Sequence, residues 1–391
     1  MILPTILWST FFLALMIFGW MFLGYPLAML IASHFWGRAV ARAAITPTVT
    51  VIVCTFNESR TIARRITNLL ASDYPEELLE IIVVDSASPD GTAAIVSSII
   101  KDHPSRNIKL IQEERRRGKI SAINLGLAAA SGEIVVLTDA PTIFAQDTIK
   151  FIVQNFADPS VGAVTGNFVK YDLEGELAAQ ETEWIVFRFR KLLRRLEALL
   201  DSTTWLSGEL TAFRRDVIPA IPSAVVIDDA YIAMAVRQQG LRVVVDERAV
   251  YTEKRPTNYS ETITIKVKSI VGGVQEMVRF KKMLFNFRYC WYGLLILPAR
   301  LLHFYLNPFV FLALVVSSSW LACLYLGAAR IAVVLGILGF VVLLLSLYRR
   351  GVLLRPLIAF LLMEWIIVLG LWKYITGRYD AAWKQVSTTR L

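Results

Sequence analysis

The first 37 residues of this 391-residue chain contain no Asp, Glu, Lys or Arg. An uncharged apolar run of this length exceeds the ~20 residues that a helix needs to cross a bilayer. It ends at Arg38 and Arg42, a basic flank that favours the inner side of a membrane. The run lacks the basic start, short apolar core and small-residue cleavage site of a secretory signal peptide. We therefore expect residues 1–44 to form an N-terminal transmembrane anchor.

Cysteine is also scarce. Cys54, Cys290 and Cys323 are the three in the chain, and they are far apart in sequence. This spacing argues against a disulfide framework and against a zinc site. We interpret the three as small apolar residues in a reducing compartment.

Charged residues are concentrated in the middle of the chain. The whole sequence is 55% hydrophobic with a mean hydropathy of +0.54, too apolar for one soluble globule and too charged for a helical bundle alone. Residues 45–285 carry most of the acidic side chains, and we expect them to form a soluble domain with its own core. Residues 286–391 turn apolar again and end in a basic tail.

The C-terminal region is predicted to contain interfacial and transmembrane helices. Its segment Tyr289–His303 includes Arg300 and begins with aromatic residues, so we expect it to lie flat at the membrane surface. Basic residues near the span ends predict a multi-pass protein of the plasma (inner) membrane, with the central domain in the cytosol. The side of the C-terminus stays open. The candidate spans lie near Phe304–Leu326, Ile331–Leu347 and Leu357–Ile375.

The chain has a formal net charge of +9. Its excess basic residues lie mostly near span ends and on one helical segment, Trp184–Leu200, rather than along a stripe across the whole domain. This distribution favours anionic membrane lipids over nucleic acid as a partner. In that segment the leucines are expected on one face and the basic residues on the other, which is typical of a helix packed on the core or docked at a membrane surface.

The central domain shows alternating strand and helix patterns. Apolar runs at Val49–Thr55, Leu79–Val84, Ile108–Ile111 and Glu133–Thr138 are each typical of a buried strand, and a helical pattern follows the first three. Alternating β and α units predict an α/β fold with a mainly parallel sheet. Ligands of such sheets bind beyond the carboxyl ends of the strands.

Two carboxylates, Asp85 and Asp139, directly follow predicted strands. A single Asp in this position is more often a turn or capping residue than a ligand. Two such residues on one rim, with the basic loop Arg117-Gly118-Lys119 between them in sequence, favour a binding site.

An ordered series of short motifs resembles the family 2 glycosyltransferases, whose domain has the Rossmann-like GT-A fold. The resemblance covers about Val49 to Leu284. Each motif alone is weak, and their order along the chain makes the series specific. The series is Thr55-Phe56-Asn57-Glu58, Asp85 with Asp90-Gly91-Thr92, Arg117-Gly118-Lys119, Asn124 with Gly126, Asp139-Ala140, and Asp228-Asp229.

The resemblance implies a nucleotide-sugar donor, with UDP as the expected nucleotide. Asp85 would bind the base with help from the loop residues Thr55, Asn57 and Glu58. The diphosphate would be neutralised by Lys119 or Arg117 and by Mg²⁺ or Mn²⁺ held at Asp139.

The resemblance also implies how the acceptor is activated. Asp229 would act as the base that removes the proton of the acceptor hydroxyl, and the single displacement would invert the anomeric carbon. Asp228 would assist, or would only cap the helix that follows. Trp205, Ser207, Gly208 and Glu209 match the acceptor-side loop of the family, although an ordinary turn with a buried Trp is an equally good interpretation.

Two departures from the family pattern leave alternatives open. The metal motif is Asp139-Ala140-Pro141 and lacks a second carboxylate, and Lys266–Gly273 stands where processive synthases carry a product-gripping Gln-x-x-Arg-Trp. We therefore expect a transferase that adds sugar to a lipid-linked or membrane-proximal saccharide. The alternatives are a processive polysaccharide synthase that extrudes its product and a non-catalytic subunit with the same fold.

Overall fold

The computed structural model describes residues 2–169, 179–254, 259–327 and 355–379, together with single positions at 330, 336 and 340. The candidate span Ile331–Leu347 lies almost wholly outside these residues, and so does the basic tail beyond residue 379. The predicted boundaries at residues 44 and 285 stay predictions.

The centre of the described chain is one mixed eight-stranded sheet with the order β3-β2-β1-β4-β7-β6-β8-β5. Its first four strands are parallel, and β7 joins β4 and β6 in antiparallel pairs. This confirms the predicted α/β fold with a mainly parallel sheet. The strands are β1 (Val49–Thr55), β2 (Leu79–Asp85), β3 (Ile108–Gln112), β4 (Ile134–Asp139), β5 (Ile143–Phe144), β6 (Val161–Phe168), β7 (Thr211–Arg214) and β8 (Arg242–Thr252).

Helices cover the sheet and extend beyond it. Short π-helical turns join some of them into longer rods, at Trp20–Gly24, Tyr292–Ile296 and Leu302–Leu306. The helices are α1 (Ile2–Gly19), α2 (Tyr25–Trp36), α3 (Ile62–Leu70), α4 (Thr92–Asp102), α5 (Lys119–Ala129), α6 (Thr148–Val153), α7 (Ala179–Leu200), α8 (Asp228–Gln238), α9 (Tyr259–Arg279), α10 (Leu297–Leu301), α11 (Asn307–Leu326) and α12 (Arg355–Ile375).

Alternate residues of the buried strands supply two cores, one on each face of the sheet. In β1, Ile52 belongs to one apolar cluster, whereas Val51 and Val53 belong to the other. On the Ile52 side, a Cβ added at Gly126 would lie 2.6 Å from Ile52 Cγ2. Helix α5 therefore lies directly against β1, and this close contact fixes the position of its first residue.

Among the residues that the structure describes, three helices are long and apolar enough to cross a membrane: Leu3–Trp36, Tyr292–Leu326 and Leu357–Ile375. They contact one another through aromatic side chains. The indole of Trp8 donates a hydrogen bond to the Tyr325 hydroxyl at 3.3 Å, and Phe360 lies 5.1 Å from Phe311, ring centre to ring centre. In sequence these helices coincide with the predicted anchor segment and with the predicted segments Phe304–Leu326 and Leu357–Ile375, and their crossing of a membrane stays a prediction.

The second long helix changes the interpretation of Tyr289–His303. Most of that segment continues directly into α11, forming one helix of 35 residues. At about 1.5 Å per residue this helix is ~52 Å long, well beyond a ~30 Å hydrocarbon core. Its first turns are buried against the domain, with Tyr292 and Ile296 fully enclosed. The charge of Arg300, which suggested a membrane surface, is instead satisfied by the domain.

A buried carboxylate on α7 joins the domain to two of the long helices. Glu197 is fully buried. Its Oε1 accepts a hydrogen bond from the Tyr25 hydroxyl at 2.9 Å, and its Oε2 pairs with Arg300 Nη2 at 2.9 Å. Beside it, the Arg38 backbone N–H donates to the Leu199 carbonyl at 2.7 Å. The α2 and α10 helices are thus held on α7 by polar contacts as well as by apolar ones.

Replacing Glu197 by Ala should destabilise the protein strongly. The change leaves the Tyr25 hydroxyl and the Arg300 guanidinium buried without this acceptor, and breaking such a pair costs about 3–5 kcal/mol. We expect the melting temperature in detergent to fall by several degrees, whereas the matched change Glu114→Ala, at an exposed loop position, should leave it unchanged. Equal melting temperatures for the two variants would contradict a role for Glu197 in holding the helices.

Candidate active site

The carboxyl ends of β1, β2 and β4 form one rim of the sheet. Parallel pairing places Thr55 opposite Asp85 and Cys54 opposite Asp139. The antiparallel strand β7 begins at Thr211, opposite Leu137 of β4. The loop that precedes β7 therefore reaches the same rim, and the structure brings the predicted donor-side and acceptor-side residues together there.

Lys119 lies at the centre of this rim. Gly118 immediately before it has φ 97°, a conformation that favours glycine, and α5 begins at Lys119. The ammonium Nζ is 2.9 Å from Asp139 Oδ1 and 3.5 Å from Asp228 Oδ2. Burial acts to lower the pKa of Lys119, but the two carboxylates outweigh it and raise the pKa well above its ordinary value. Lys119 is therefore a fixed positive charge between them.

Asp228 and Asp229 are the first two residues of α8. The residue before the helix is Ile227, so the interpretation of Asp228 as only a helix cap is wrong. Its carboxylate faces Lys119 instead. Burial, followed by the negative charge of Asp228, raises the pKa of Asp229 to about 7. A carboxylate with this pKa can accept a proton near neutral pH.

The acceptor-side loop is tied to the strand that carries Asp139. The Thr138 hydroxyl donates to the Glu209 carbonyl at 2.8 Å, and the Ser207 backbone N–H donates to Thr165 Oγ1 at 3.0 Å. A Cβ on Gly208 would lie 3.7 Å from Lys119 Nζ. This is an ordinary van der Waals distance, so the loop lies beside the central ammonium.

The start of this loop, at Trp205, meets one of the long apolar helices. A Cβ added at Gly273 of α9 would lie 2.3 Å from the Tyr305 hydroxyl and 3.8 Å from Trp205 Cζ3. Gly273 thus separates Trp205 from Tyr305, which belongs to the helix Tyr292–Leu326. The half-buried Trp205 lies on the side of the site that faces the long helices.

The predicted base-binding residues form a hydrogen-bonded cluster at the ends of β1 and β2. Asp85 is 2% exposed and accepts hydrogen bonds from Thr55 Oγ1 at 3.2 Å and from Ser88 Oγ at 2.5 Å. The Asn57 backbone N–H donates to Ser88 Oγ at 2.9 Å. Glu58 is buried and accepts from the Thr61 hydroxyl at 2.6 Å. The four predicted base-binding residues thus take part in one hydrogen-bonded cluster. Their contact with a base stays a prediction.

The basic loop before α5 also contributes to the donor side. Arg117 is exposed next to Lys119, and the guanidinium of Arg116 stacks on the Phe56 ring at 3.9 Å. Phe56 belongs to the loop after β1, so this contact joins two of the predicted donor-binding segments.

Two basic residues near the site were not predicted from the sequence. Lys268 of α9 faces the carboxylate cluster: burial, then the charge of Lys119, lowers its pKa, while Asp228 and Asp139 oppose the shift. Arg194 belongs to the predicted basic face of Trp184–Leu200, solvated or at a membrane surface, whereas its Nη1 lies 3.5 Å from Ser207 Oγ. Neither position carries a spacing signal that marks it.

A divalent cation fits this site only as a partly protein-bound ion. Within the described residues, no group of three or more His, Cys, Asp or Glu side chains could hold a metal. Asp139 is one-third exposed and offers carboxylate oxygen, the ligand that Mg²⁺ and Mn²⁺ prefer. Magnesium is commonly bound by one or two carboxylates and by the phosphates of the substrate. The donor set at Asp139 fits that mode.

Comparison with known proteins gives two kinds of relative. The chain is 26% identical over 238 residues to a poly-beta-1,6-N-acetyl-D-glucosamine synthase of Staphylococcus aureus, covering 59% of this chain and 56% of that protein. It is 30% identical over 174 residues to the synthase of Staphylococcus epidermidis, covering 44% of this chain and 40% of that protein. The chain therefore spans only about half the length of these curated relatives.

A solved structure matches over nearly the full chain. The mannosyltransferase PcManGT from Pyrobaculum calidifontis, solved in complex with GDP-Man and Mn²⁺, has 27% sequence identity and a TM-score of 0.74. The match covers 95% of this chain and 100% of that one. The similarity therefore includes the long apolar helices as well as the sheet.

The model of the family described as glycosyl transferase family 2 matches residues 50–221. This region holds the strand-end rim from Thr55 to Glu209. The resemblance inferred from the motif series is confirmed: residues 50–221 form a glycosyl transferase family 2 domain.

Proposed function

We propose that the protein is a membrane-embedded inverting glycosyltransferase that moves a sugar from a nucleotide-sugar to a lipid-linked or membrane-proximal saccharide. The observation that carries the proposal is the arrangement at the strand-end rim. A positive charge, Lys119, lies between Asp139 and Asp228, and beside them Asp229 has a pKa of about 7. This combination suits a reaction that needs both a diphosphate site and a base.

The donor side of the reaction depends on positive charge. As the bond between the anomeric carbon and the phosphate oxygen breaks, negative charge accumulates on the departing diphosphate. Lys119 and Arg117 are placed to bind it, and a divalent cation at Asp139 would supply further charge stabilisation. A diphosphate stabilised in this way leaves without a separate general acid.

The acceptor side depends on Asp229. Its carboxylate takes the proton of the acceptor hydroxyl while the hydroxyl oxygen bonds to the anomeric carbon from the face opposite the diphosphate. One bond forms and one breaks in a single displacement, so the anomeric configuration inverts. Burial and Asp228 increase the basicity of Asp229, and a base with a pKa near the working pH is the most effective.

The position of the acceptor loop supports an acceptor at the membrane. Trp205 is separated only by Gly273 from Tyr305 of a membrane-spanning helix, so a saccharide stacked on Trp205 lies next to the bilayer. The three long apolar helices and the basic flank at Arg38 and Arg42 support a multi-pass protein of the plasma (inner) membrane with its domain in the cytosol.

A processive polysaccharide synthase is the second candidate. The polysaccharide synthases among the relatives favour it, whereas the solved structure that matches 95% of this chain is that of a mannosyltransferase. Product size separates the two: the proposal expects short products from the purified protein, and a distribution of long chains would replace it with the synthase. The non-catalytic alternative requires that no donor be turned over.

Asp229→Asn should abolish sugar transfer. The amide cannot accept the proton of the acceptor hydroxyl, and loss of a general base typically lowers the rate by about 10²–10⁴-fold. Release of nucleoside diphosphate would be measured in detergent or nanodiscs across UDP- and GDP-sugars with Mg²⁺ or Mn²⁺. The family resemblance leads us to expect UDP as the nucleotide. PcManGT, which matches 95% of this chain, was solved with GDP-Man.

The matched control is Asp102→Asn, the same change at an exposed position at the end of α4. It should keep full activity. Turnover of one donor by both the wild type and Asp229→Asn would exclude Asp229 as the base. No turnover of any donor by the wild type would favour the non-catalytic alternative.

The pH profile should report the ionisation of Asp229. The base acts only when deprotonated, so kcat/KM should fall as the pH drops below about 7. Because Asp228 is one cause of the raised pKa, Asp228→Asn should move this acidic limb to lower pH in addition to reducing the rate. An acidic limb at the same pH in both proteins would assign it to another group.

Removal of divalent cations should suppress turnover, and Asp139→Asn should raise the concentration of Mn²⁺ or Mg²⁺ needed for half-maximal activity by at least about tenfold. With one protein carboxylate as ligand, loss of that ligand leaves the ion to the phosphates and water. Activity would be titrated with each metal after treatment with EDTA. Full activity in EDTA would mean that Lys119 and Arg117 alone neutralise the diphosphate.

A further inference from the structure

Arg194 of α7 is a charged side chain with an unused hydrogen-bonding edge. Its Nη1 lies 3.5 Å from Ser207 Oγ, at the long limit of a hydrogen bond. Its Nε and Nη2 atoms are buried and have no hydrogen-bond partner among the described residues. These two nitrogens lie on the same edge of the guanidinium, the edge that can donate two parallel hydrogen bonds to the oxygens of one anion.

An unused guanidinium edge is unfavourable in the interior. A buried polar group without a partner costs about 1–3 kcal/mol, and more when it is charged. The described residues offer Arg194 no carboxylate within ion-pair distance. Glu197, three residues along the helix, is taken by Tyr25 and Arg300. Glu197, Glu209 and Tyr251 act on Arg194 only at longer range, where they partly offset the effect of burial on its pKa.

The location of Arg194 connects the acceptor loop with the membrane-spanning helices. On one side is Ser207, whose neighbour Gly208 lies beside Lys119. On the other side, the guanidinium of Arg190, one turn earlier on α7, stacks on Phe304 at 5.0 Å, as does that of Arg300. Phe304 belongs to the helix Tyr292–Leu326. An anion bound here would lie between the reaction centre and the bilayer.

We propose that the Nε–Nη2 edge of Arg194 binds a phosphate group of a lipid-linked acceptor. Phosphate matches the planar fork of arginine, and it is an anionic group that membrane lipids carry. The identification of the ligand as an acceptor rests on the proposed transferase function, but the phosphate site itself does not. Binding to Arg194 would hold the acceptor so that its saccharide reaches Trp205 and its hydroxyl reaches Asp229.

Direct binding tests the site without requiring turnover. The full chain in maltoside micelles would be titrated with dihexanoyl phosphatidic acid, a short lipid with a terminal phosphate, and its melting temperature followed. Dihexanoyl phosphatidylcholine and inorganic phosphate serve as the two comparison ligands. We expect phosphatidic acid to stabilise the wild type and the Asp229→Asn variant equally, and the comparison ligands to act only at concentrations at least about tenfold higher.

Arg194→Gln should weaken binding of phosphatidic acid by at least about tenfold, because two charge-assisted hydrogen bonds are lost. The matched control Arg188→Gln changes an exposed arginine of the same helix and should bind normally. Arg194→Lys keeps the charge without the fork and should also bind weakly. Without ligand, Arg194→Gln should melt no lower than the wild type, since it removes a buried unpaired charge. If it fails to fold, Arg194→Lys provides the same comparison.

Two other results would overturn the proposal, and a third would remove only the function on which the ligand's identity rests. Equal binding by Arg194→Gln and the wild type would remove Arg194 from the site. Arg194-dependent binding of inorganic phosphate as tight as that of phosphatidic acid would indicate a site for free phosphate. Arg194-dependent binding in a protein that turns over no donor would leave the phosphate site in place and remove the transferase function instead.

Discussion

The buried carboxylate of Glu197 is the interaction on which the arrangement of domain and long helices depends. Two oxygens of one side chain bind Tyr25 from the N-terminal helix and Arg300 from the second long helix. Apolar contacts between helices are weakly directional, whereas these hydrogen bonds require a particular rotation and height of each helix on α7. The same helix carries Arg194 toward the acceptor loop, so the position of the reaction centre relative to the long helices depends on this contact.

The site itself is organised by opposing charges in a partly buried place. Lys119 is stabilised as a cation by Asp139 and Asp228, while Asp229 is kept basic by burial and by Asp228. Asp228 thus serves both neighbours: it stabilises the ammonium and raises the proton affinity of the adjacent carboxylate. One short segment, the start of α8, supplies groups for both halves of the proposed reaction, and α5 meets it because Gly126 allows close contact with Ile52.

Much of the fold could be predicted because its strands are continuous apolar runs. The predicted strands at Val49–Thr55 and Leu79–Val84 were confirmed to within one residue, and the motif series placed its carboxylates at the correct strand ends. The sequence could not show that Arg300 has a buried partner, because Glu197 is 103 residues away. Periodicity likewise placed Arg194 on the basic face of its helix, since it cannot show that this side chain lies against Ser207 of the acceptor-side loop. Features set by contacts between distant segments were the ones that the sequence left open.

Long apolar helices precede and follow the domain in sequence. Their insertion in a bilayer would determine how the protein encounters an acceptor held in the same bilayer. The domain enters from Leu3–Trp36 and leaves into Tyr292–Leu326, so its rim would be kept at a fixed height and would meet lipid-anchored molecules by lateral diffusion alone. The relevant acceptor concentration is then a surface density, in molecules per lipid, and adding bulk lipid or detergent would dilute the acceptor even at constant molarity. Confinement to two dimensions can sustain frequent encounters with an acceptor whose direct affinity for the protein is low.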